Sequence, residues 1–221
     1  MSLTLYGYKY SVYCWTVRMV LAHKSQSADW VDVNPFTEPA ELTPDSQGNP
    51  HPFNRVPFCQ HDDLALFETA AICQYLDDQF PTAGELQPTA AIDRARMRQI
   101  ISMTDQYAYP ALVRGVFENV VVVPKWGLPP NPKGLQKAVR ESKRVLAALS
   151  DLVAGPSGMV ANQPTLADAQ LAPMMAYFTQ APQGTKLLAD YPPLQHWWAS
   201  WQNHPSLTAT DPGEMPAGTT S

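Results

Sequence analysis

The segment Ser11-Val-Tyr-Cys14 stands where a predicted strand turns into a predicted helix. A helix N-terminus has unpaired N–H groups and a partial positive charge, so it stabilises a thiolate or another anion there. Ser11 takes the N-cap position, and its hydroxyl can donate a hydrogen bond to a thiolate that a ligand supplies. The alternative is that Ser11 is only a cap and Cys14 only a small buried side chain.

Two further segments have the chemistry of a binding site. Asn54-Arg-Val-Pro57 places a proline at the start of a predicted strand, which indicates either an ordinary edge-strand proline or a cis peptide bond. With a cis bond, the backbone N–H and C=O of Val56 would face an extended peptide ligand. Glu68 and Thr69 open the next predicted helix, where they either cap it or bind an ammonium group and a carboxylate. The three segments together describe a ligand with an α-amino acid head, a peptide middle and a thiol tail.

Apolar periodicity predicts the elements that position these segments. The first eighty residues follow the order β-α-β, loop, β-β-α, which is typical of an α/β domain with a four-stranded mixed sheet. Strands are expected at 3–6, 30–33, 56–60 and 64–67, and helices at 12–24 and 68–80. Beyond residue 92 strand signals nearly vanish, and helical patterns cover 92–123, 135–153, 165–180, 184–189 and 194–203. We therefore expect an α/β domain at 1–80, a linker at 81–91, an all-α domain at 92–207 and a disordered tail at 208–221.

Composition excludes several classes of protein. The 22 prolines among 221 residues would suit a disordered chain, but 45% hydrophobic and 10% aromatic residues do not. A net charge of −5 without a basic cluster argues against a nucleic-acid surface. No apolar run approaches the length of a membrane span or a signal peptide. Three cysteines without metal-like spacing suit the reducing cytoplasm, where we expect the protein.

The order and spacing of five stretches resemble the cytosolic glutathione transferases, over nearly the full length of the chain. They are LTLYGYKYSVYCWTVRMVL, PFNRVPF, LFETAAICQYLDDQFP, PTLADAQLAPMMAYF and PPLQHWWASWQNHPS. Ser11 matches the serine-type members, which include bacterial and theta-like proteins. The resemblance implies a thioredoxin-like first domain and an all-helical second domain that contributes the acceptor site. It further implies a cytoplasmic homodimer, without metal, that conjugates glutathione to small hydrophobic electrophiles in detoxification.

The resemblance also implies roles for individual residues. Ser11 would donate to the glutathione sulfur, and Val56, preceding cis Pro57, would pair with the cysteinyl backbone. Glu68 and Thr69 would hold the γ-glutamyl end. Two basic residues, Arg55 and His51, are candidates for contacts near the glycyl carboxylate, and Asp168 matches a buried capping residue of the second domain.

Alternatives remain open for the thiolate partner and for the reaction. Tyr6 ends the first strand, where tyrosine-type relatives place their donor, and Cys14 could form mixed disulfides. The same fold also serves glutathione-dependent isomerases, β-ether-cleaving lyases and dehalogenases, as well as non-catalytic glutathione- or ligand-binding modules. Candidates for the acceptor site are Tyr8, Tyr107, Tyr109, Arg114 and Trp126.

Overall fold

The computed structural model describes residues 2–33, 50–81 and 84–217. The chain forms two compact units. The first comprises Met1–Glu85 together with Ala209–Pro212, and the second comprises Leu86–Thr208 together with Gly213–Ser221. The main division therefore falls after Glu85, inside the stretch 81–91 that the sequence assigns to a linker.

The first unit is a mixed four-stranded sheet with two helices. Its elements are β1 (Leu3–Gly7), α1 (Val12–His23), β2 (Asp29–Asp32), β3 (Phe58–His61), β4 (Leu64–Phe67) and α2 (Thr69–Gln79). The strand order is β2-β1-β3-β4, with β2 parallel to β1 and the other two pairs antiparallel. This order of elements and the mixed four-stranded sheet confirm the α/β fold predicted for the first domain.

Gly7 allows β1 to approach its neighbours closely before the chain turns into α1. A Cβ atom at this position would lie 2.6 Å from the Trp30 ring and 2.8 Å from the Cys14 sulfur. The Gly7 carbonyl also accepts a hydrogen bond from the Val33 N–H at 2.9 Å. Because the side chains of Trp30 and Cys14 occupy this space, a larger residue would displace the turn that leads to Ser11.

The second unit is helical. Its elements are α3 (Ala91–Met103), a π-helical segment (Thr104–Val122), α4 (Val123–Lys125), α5 (Pro132–Leu152), α6 (Leu166–Phe178), α7 (Pro182–Leu188), α8 (Pro192–Trp201) and α9 (Pro205–Thr208). The sequence predicts a single helical pattern over 92–123, interrupted at Pro110, whereas the structure widens the helix over 104–122. Proline lacks the N–H group and crowds the preceding turn, which favours a departure from regular α-helical bonding. None of the described helices combines the length and apolar character needed to cross a bilayer.

Most element boundaries shift by one to three residues from the sequence prediction, and three of the differences have a physical cause. β3 begins at Phe58 instead of Val56, since Pro57 has no N–H to give to the ladder. Glu68 is the N-cap of α2 and lies outside the helix. The polar tail, predicted to be disordered from 208, has Ala209–Pro212 in the first unit. There Trp15 Nε1 donates to Thr210 Oγ1 at 3.0 Å, a contact between residues 195 positions apart that composition alone cannot reveal.

Candidate active site in the first unit

The strand register brings the three predicted binding segments to one end of the sheet. Tyr6, near the end of β1, pairs with Phe58 at the start of β3, and Phe58 pairs with Phe67 at the end of β4. The turn after β1 leads to Ser11, the chain before β3 carries Val56, and the chain after β4 carries Glu68-Thr69. Residues that are up to 58 positions apart in the sequence therefore leave or enter the sheet at the same edge.

Ser11 is the N-cap of α1, as predicted. Its side-chain oxygen accepts from the Cys14 N–H at 3.4 Å, and its own N–H donates to the Tyr8 carbonyl at 2.9 Å. The side chain is half-buried. A hydroxyl has one donor and two acceptor positions, so accepting from Cys14 leaves the O–H able to donate to an anion at the helix N-terminus.

Cys14 and Tyr6 have different surroundings from Ser11. Cys14 is completely buried, and burial raises the pKa of its thiol to about 11, although hydrogen bonds with the Ser11 side chain and the Tyr8 backbone lower it. Because the thiolate is the nucleophile in thiol chemistry, such a cysteine is unreactive near neutral pH. The half-buried Tyr6 ring packs edge-on against Phe58, with ring centroids 5.7 Å apart.

The Val56–Pro57 peptide bond is cis, as the resemblance implied. Within the described ranges, neither the N–H nor the C=O of Val56 has a hydrogen-bond partner. Pro57 is buried and Val56 is half-buried directly before β3 begins. An unpaired donor and acceptor on one residue next to a strand can bind the backbone of an extended peptide.

Glu68 and Thr69 form the entry to α2. Glu68 has φ +71° and ψ 116°, a conformation that L-residues rarely adopt, and its exposed side chain makes no capping hydrogen bond to the described helix. Thr69 is buried, and the first N–H groups of α2 have no partner within the helix. Backbone strain of this kind clusters at ligand sites, so the geometry favours binding over simple capping.

His51 and Arg55 lie close to the same entry. His51 is buried against Phe67, with ring centroids 5.2 Å apart, and its Nδ1 accepts from the Phe53 N–H at 3.1 Å. Burial lowers the pKa of His51, and nearby Arg55 lowers it further, whereas Glu68 raises it. Arg55 is exposed. The rest of the predicted loop, 34–49, lies outside the described residues.

The acceptor-site candidates are divided between the two units. Tyr8 lies in the first unit, half-buried, with its ring 5.6 Å from that of Tyr10. The other four belong to the second unit: Tyr107 is 62% exposed, Arg114 pairs with Glu118 at 3.5 Å, and Tyr109 and Trp126 are half-buried.

The structure adds an exposed aromatic patch that the sequence reasoning missed. Phe53 is 67% exposed and Phe67 39% exposed, and their rings meet edge-on at 6.3 Å. The short apolar run of β4 predicts the strand, but the exposure of its Phe67 depends on sheet pairing. Among the described residues, no group of three or more His, Cys, Asp or Glu side chains could hold a metal ion.

Comparisons with known proteins agree with this arrangement. The glutathione S-transferase N-terminal domain matches residues 5–85, and the glutathione S-transferase C-terminal domain matches residues 132–199. Glutathione S-transferase F13 of Arabidopsis thaliana is 26% identical over 100% of both chains. A stringent starvation protein A homolog of Haemophilus ducreyi is 26% identical, over 78% of this chain and 73% of that protein.

Solved structures show the same fold. Glutathione S-transferase-I bound with lactoylglutathione superposes with a TM-score of 0.82 at 22% identity, covering 95% of this chain and 98% of that chain. This likeness confirms the thioredoxin-like first domain and the helical second domain. With one domain match in each unit and relatives of that name along its full length, the chain belongs to the glutathione S-transferase family.

Proposed function

We propose that this chain is a serine-type glutathione transferase in which the Ser11 hydroxyl stabilises the thiolate of bound glutathione. The observation that carries the proposal is the convergence of Ser11, Val56 and Glu68-Thr69 at one end of the sheet. Glutathione has a thiol, a peptide backbone and an α-amino acid head. Ser11 can bind the first of these, Val56 the second and Glu68-Thr69 the third. The solved relative with bound lactoylglutathione is consistent with a glutathione ligand.

The proposed role of Ser11 follows from the acidity of a thiol. A free thiol with a pKa of about 8.5 is only about 3% ionised at pH 7. Lowering that pKa by about two units, roughly 2.7 kcal/mol, raises the ionised fraction to about 75%. The hydroxyl of Ser11 and the N-terminus of α1 are together a sufficient source of this stabilisation. The thiolate then attacks the electrophilic carbon of the second substrate.

The remaining contacts are proposed from the same geometry. The unpaired N–H and C=O of Val56 bind the cysteinyl backbone, next to cis Pro57. The first N–H groups of α2, beginning at Thr69, bind the γ-glutamyl carboxylate, and Glu68 binds the ammonium group. The two remaining basic candidates for the glycyl carboxylate are Arg55 and His51.

Turnover of Ser11→Ala tests the role of Ser11. The N-terminus of α1 remains in this variant, so only the share of the hydroxyl is lost, about 1 to 1.5 pKa units. At saturating glutathione the apparent pKa in the pH profile of kcat/KM for a chloronitrobenzene should therefore rise from about 6.5 to about 7.5–8. At pH 7 the thiolate fraction should fall from about 75% to about 10–25%, so this kcat/KM should fall about three- to eightfold. The dissociation constant of glutathione at pH 7, measured by calorimetry, should rise only about three- to fourfold, because the lost thiolate stabilisation weakens binding while the backbone contacts remain.

Tyr6→Phe and Cys14→Ala are the matched controls. Both should keep the pH profile of the parent protein, because the Tyr6 ring packs on Phe58 and the Cys14 thiol is buried. An unchanged rate in Ser11→Ala, or a shifted profile in either control, would assign the thiolate to another group.

The second candidate function is a non-catalytic binding module. It is supported by relatives that are named stringent starvation protein A homologs and not transferases. It predicts that glutathione binds but that no electrophile is turned over. A panel with an aryl chloride, an alkyl halide, an aryl ether and an isomerisable maleyl substrate separates this module from the transferase. The same panel separates conjugation from dehalogenation, ether cleavage and isomerisation.

We further propose a cytoplasmic homodimer that acts on small hydrophobic electrophiles in detoxification. The exposed aromatic patch of Phe53 and Phe67 supports the dimer, because apolar side chains of this size are usually covered at an interface. The candidates for contact with the electrophile remain those of the sequence: Tyr8, Tyr107, Tyr109, Arg114 and Trp126.

A further inference from the structure

The solvent-facing side of α5 carries a basic stripe. It consists of four exposed residues at successive intervals of four, three and four positions: Lys133, Lys137, Arg140 and Arg144. Residues at these intervals lie on one face of an α-helix, and a rise of about 1.5 Å per residue gives the stripe a length of about 16 Å. The buried residues of α5 lie on the opposite face: Ala138, Ser142, Val145, Leu146 and Leu149.

The charge of α5 is opposite to that of the rest of the chain. Between Pro132 and Leu152 there are five basic residues and two acidic ones, Glu141 and Asp151, so the helix has a net charge of +3. The whole chain has a net charge of −5, which leaves −8 for the other residues. An exposed helix face ordinarily mixes both signs at i,i+4 spacing. Solubility does not explain a face of one sign, because these cations reduce the net charge of the chain.

Most of the basic stripe is not neutralised within the described part of the chain. Lys137 Nζ lies 3.7 Å from Glu141 Oε1. Among the described residues, the side chains of Lys133, Arg140 and Arg144 form no ion pair with a carboxylate. Like charges at i,i+3 and i,i+4 destabilise a helix, so α5 keeps an unfavourable arrangement that an acidic partner would relieve.

Hydrogen bonds from neighbouring elements hold α5 in place. Its N-cap, Asn131, accepts from the Gly134 N–H at 3.0 Å, and Asn119 is joined to Asn131 by two hydrogen bonds of 2.8 and 2.9 Å. Further along the helix, the Tyr191 hydroxyl donates to the Lys143 carbonyl at 2.9 Å. A helix fixed in this way loses little backbone entropy on binding, so the basic stripe is a preorganised surface.

We propose that the basic stripe of α5 docks an acidic α-helix of a partner protein, whose carboxylates repeat at intervals of three and four residues. Such a helix presents its negative charges at the same rise as the cations of the stripe. The stripe is only about 16 Å long, and the rest of the chain carries a charge of −8, so a longer polyanion or an anionic membrane is repelled beyond it. A short acidic helix avoids that repulsion. The surface does not depend on Ser11 or on glutathione.

Fluorescence anisotropy of two labelled peptides with the full chain tests the spacing. Both are 18-residue helices of alanine and glutamine with four glutamates, at positions 3, 7, 10 and 14 in the one-face peptide and at positions 3, 5, 10 and 12 in the two-face peptide. We expect the one-face peptide to bind with a sub-millimolar dissociation constant at 20 mM NaCl, because each exposed ion pair contributes modestly. The two-face peptide should bind about five- to tenfold more weakly, since only two of its carboxylates reach the stripe. Equal affinities, or no binding of the one-face peptide with the chain at 1 mM, would overturn the proposal.

Paired substitutions locate the binding. Arg140→Gln/Arg144→Gln should weaken the one-face peptide about five- to tenfold, because two of the four charge pairs are lost. The matched control is Arg96→Gln/Arg98→Gln, which removes two exposed arginines from α3 and changes the net charge equally. It should change the affinity less than about twofold. Equal weakening in the two double variants would show that the peptide responds only to net charge, and would overturn the assignment to α5.

A further pair keeps the result independent of any one set of substitutions. Lys133→Gln/Lys143→Gln, at exposed positions of the same helix, should also weaken the one-face peptide, and the melting temperature of each variant shows that it is folded. Full affinity in this folded variant and in Arg140→Gln/Arg144→Gln would place the peptide elsewhere on the protein.

Two other anionic probes test the choice of partner. A twelve-nucleotide thymidine oligomer and vesicles that contain phosphatidylserine should both bind more weakly than the one-face peptide, because both extend beyond the stripe. Tighter binding of either probe, weakened by Arg140→Gln/Arg144→Gln, would assign the stripe to a nucleic acid or to a membrane and overturn the acidic-helix proposal.

Discussion

Four donors converge on the buried carboxylate of Asp168. Met159 N–H and Trp197 Nε1 donate to Oδ1 at 2.8 and 2.7 Å, and the Thr165 N–H and hydroxyl donate to Oδ2 at 2.9 and 2.7 Å. Together with Thr165, Asp168 forms the capping box that the sequence predicts at α6. Burial nevertheless raises the pKa of Asp168 to about 6, against the hydrogen bonds that lower it.

Trp197→Phe should destabilise the protein more at pH 8 than at pH 4. Removing one donor raises the folded-state pKa of Asp168 further above its ordinary value of 3.8. The loss of unfolding free energy due to the missing donor is absent below pH 3.8, where the Asp168 carboxyl is protonated in both the folded and the unfolded protein. This loss is complete once the pH exceeds the folded-state pKa of the variant. We expect a loss of about 1.5–3 kcal/mol at pH 8 in urea unfolding.

Trp198→Phe is the control, because this neighbouring buried tryptophan is not among the four donors to Asp168 described above and the substitution removes the same ring volume. Its loss of unfolding free energy should be equal at the two pH values. Equal losses at both pH values in Trp197→Phe would show that the indole N–H does not stabilise the charged carboxylate.

Glu68 combines a strained backbone with an exposed side chain. A backbone φ of +71° costs an L-residue about 1–3 kcal/mol, whereas glycine has no Cβ and adopts positive φ without this penalty. Glu68→Gly should therefore raise the unfolding free energy by about 1 kcal/mol, after the flexibility that glycine adds to the unfolded chain. At the same time the KM for glutathione should rise at least about tenfold, through loss of the proposed ammonium contact.

Asp63→Gly provides the comparison, since Asp63 is exposed in the adjacent turn and has an ordinary φ. It should lower stability by about 0.5–1 kcal/mol and leave the KM unchanged. A stability loss in Glu68→Gly as large as in Asp63→Gly would refute the assignment of strain to Glu68.

At the scale of elements, a buried ion pair joins the ends of α1 and α2. Lys24 caps the C-terminus of α1, and its Nζ contacts Asp77 Oδ1 of α2 and donates to the Gly84 carbonyl at 2.5 Å. Their side chains are 0% and 3% exposed. Two charges removed from water stabilise a structure only while both are present.

Lys24→Met should therefore lower the unfolding free energy by about 3–5 kcal/mol, because it leaves the Asp77 charge buried without its cation. The double variant Lys24→Met/Asp77→Leu should lose less than the single variant. Urea unfolding at pH 7 measures both. A double variant less stable than Lys24→Met would show that the apolar pair cannot replace the ionic one.

At the scale of the whole molecule, the exposed aromatic patch of Phe53 and Phe67 is a surface suited to self-association. Phe53→Glu should convert a species of twice the chain mass of 24.4 kDa into one of 24.4 kDa in sedimentation, because a charge at an apolar interface is left desolvated. Leu128→Glu, 53% exposed in a loop of the second unit, should have no effect. A parent protein that sediments as a monomer would contradict the proposed dimer.

Much of the fold is predictable because the relevant signals are local. The apolar repeat of α5 and the capping box of α6 lie within single helices, and alternation of apolar and polar residues marks β1. The widening of the helix around Pro110 and the short α9 were missed. Pro110 itself is visible in the sequence, but the extent of the widening over 104–122 and the position of α9 depend on how the backbone packs against other helices, which the spacing of apolar residues does not encode.

By itself the sequence determined the chemistry at each segment: a cap hydroxyl at Ser11, a proline turn at Pro57 and an acidic entry to a helix at Glu68. The chemistry of each segment follows from the residue type and its position at the end of a helix or strand, so the local sequence is sufficient to predict it. Only the tertiary structure decided that the three segments meet, because their proximity is set by the register of β1, β3 and β4. The tertiary structure alone also shows that Thr210 accepts a hydrogen bond from Trp15. Thr210 thereby lies in the wall of a cavity that Arg18 and Trp30 also line.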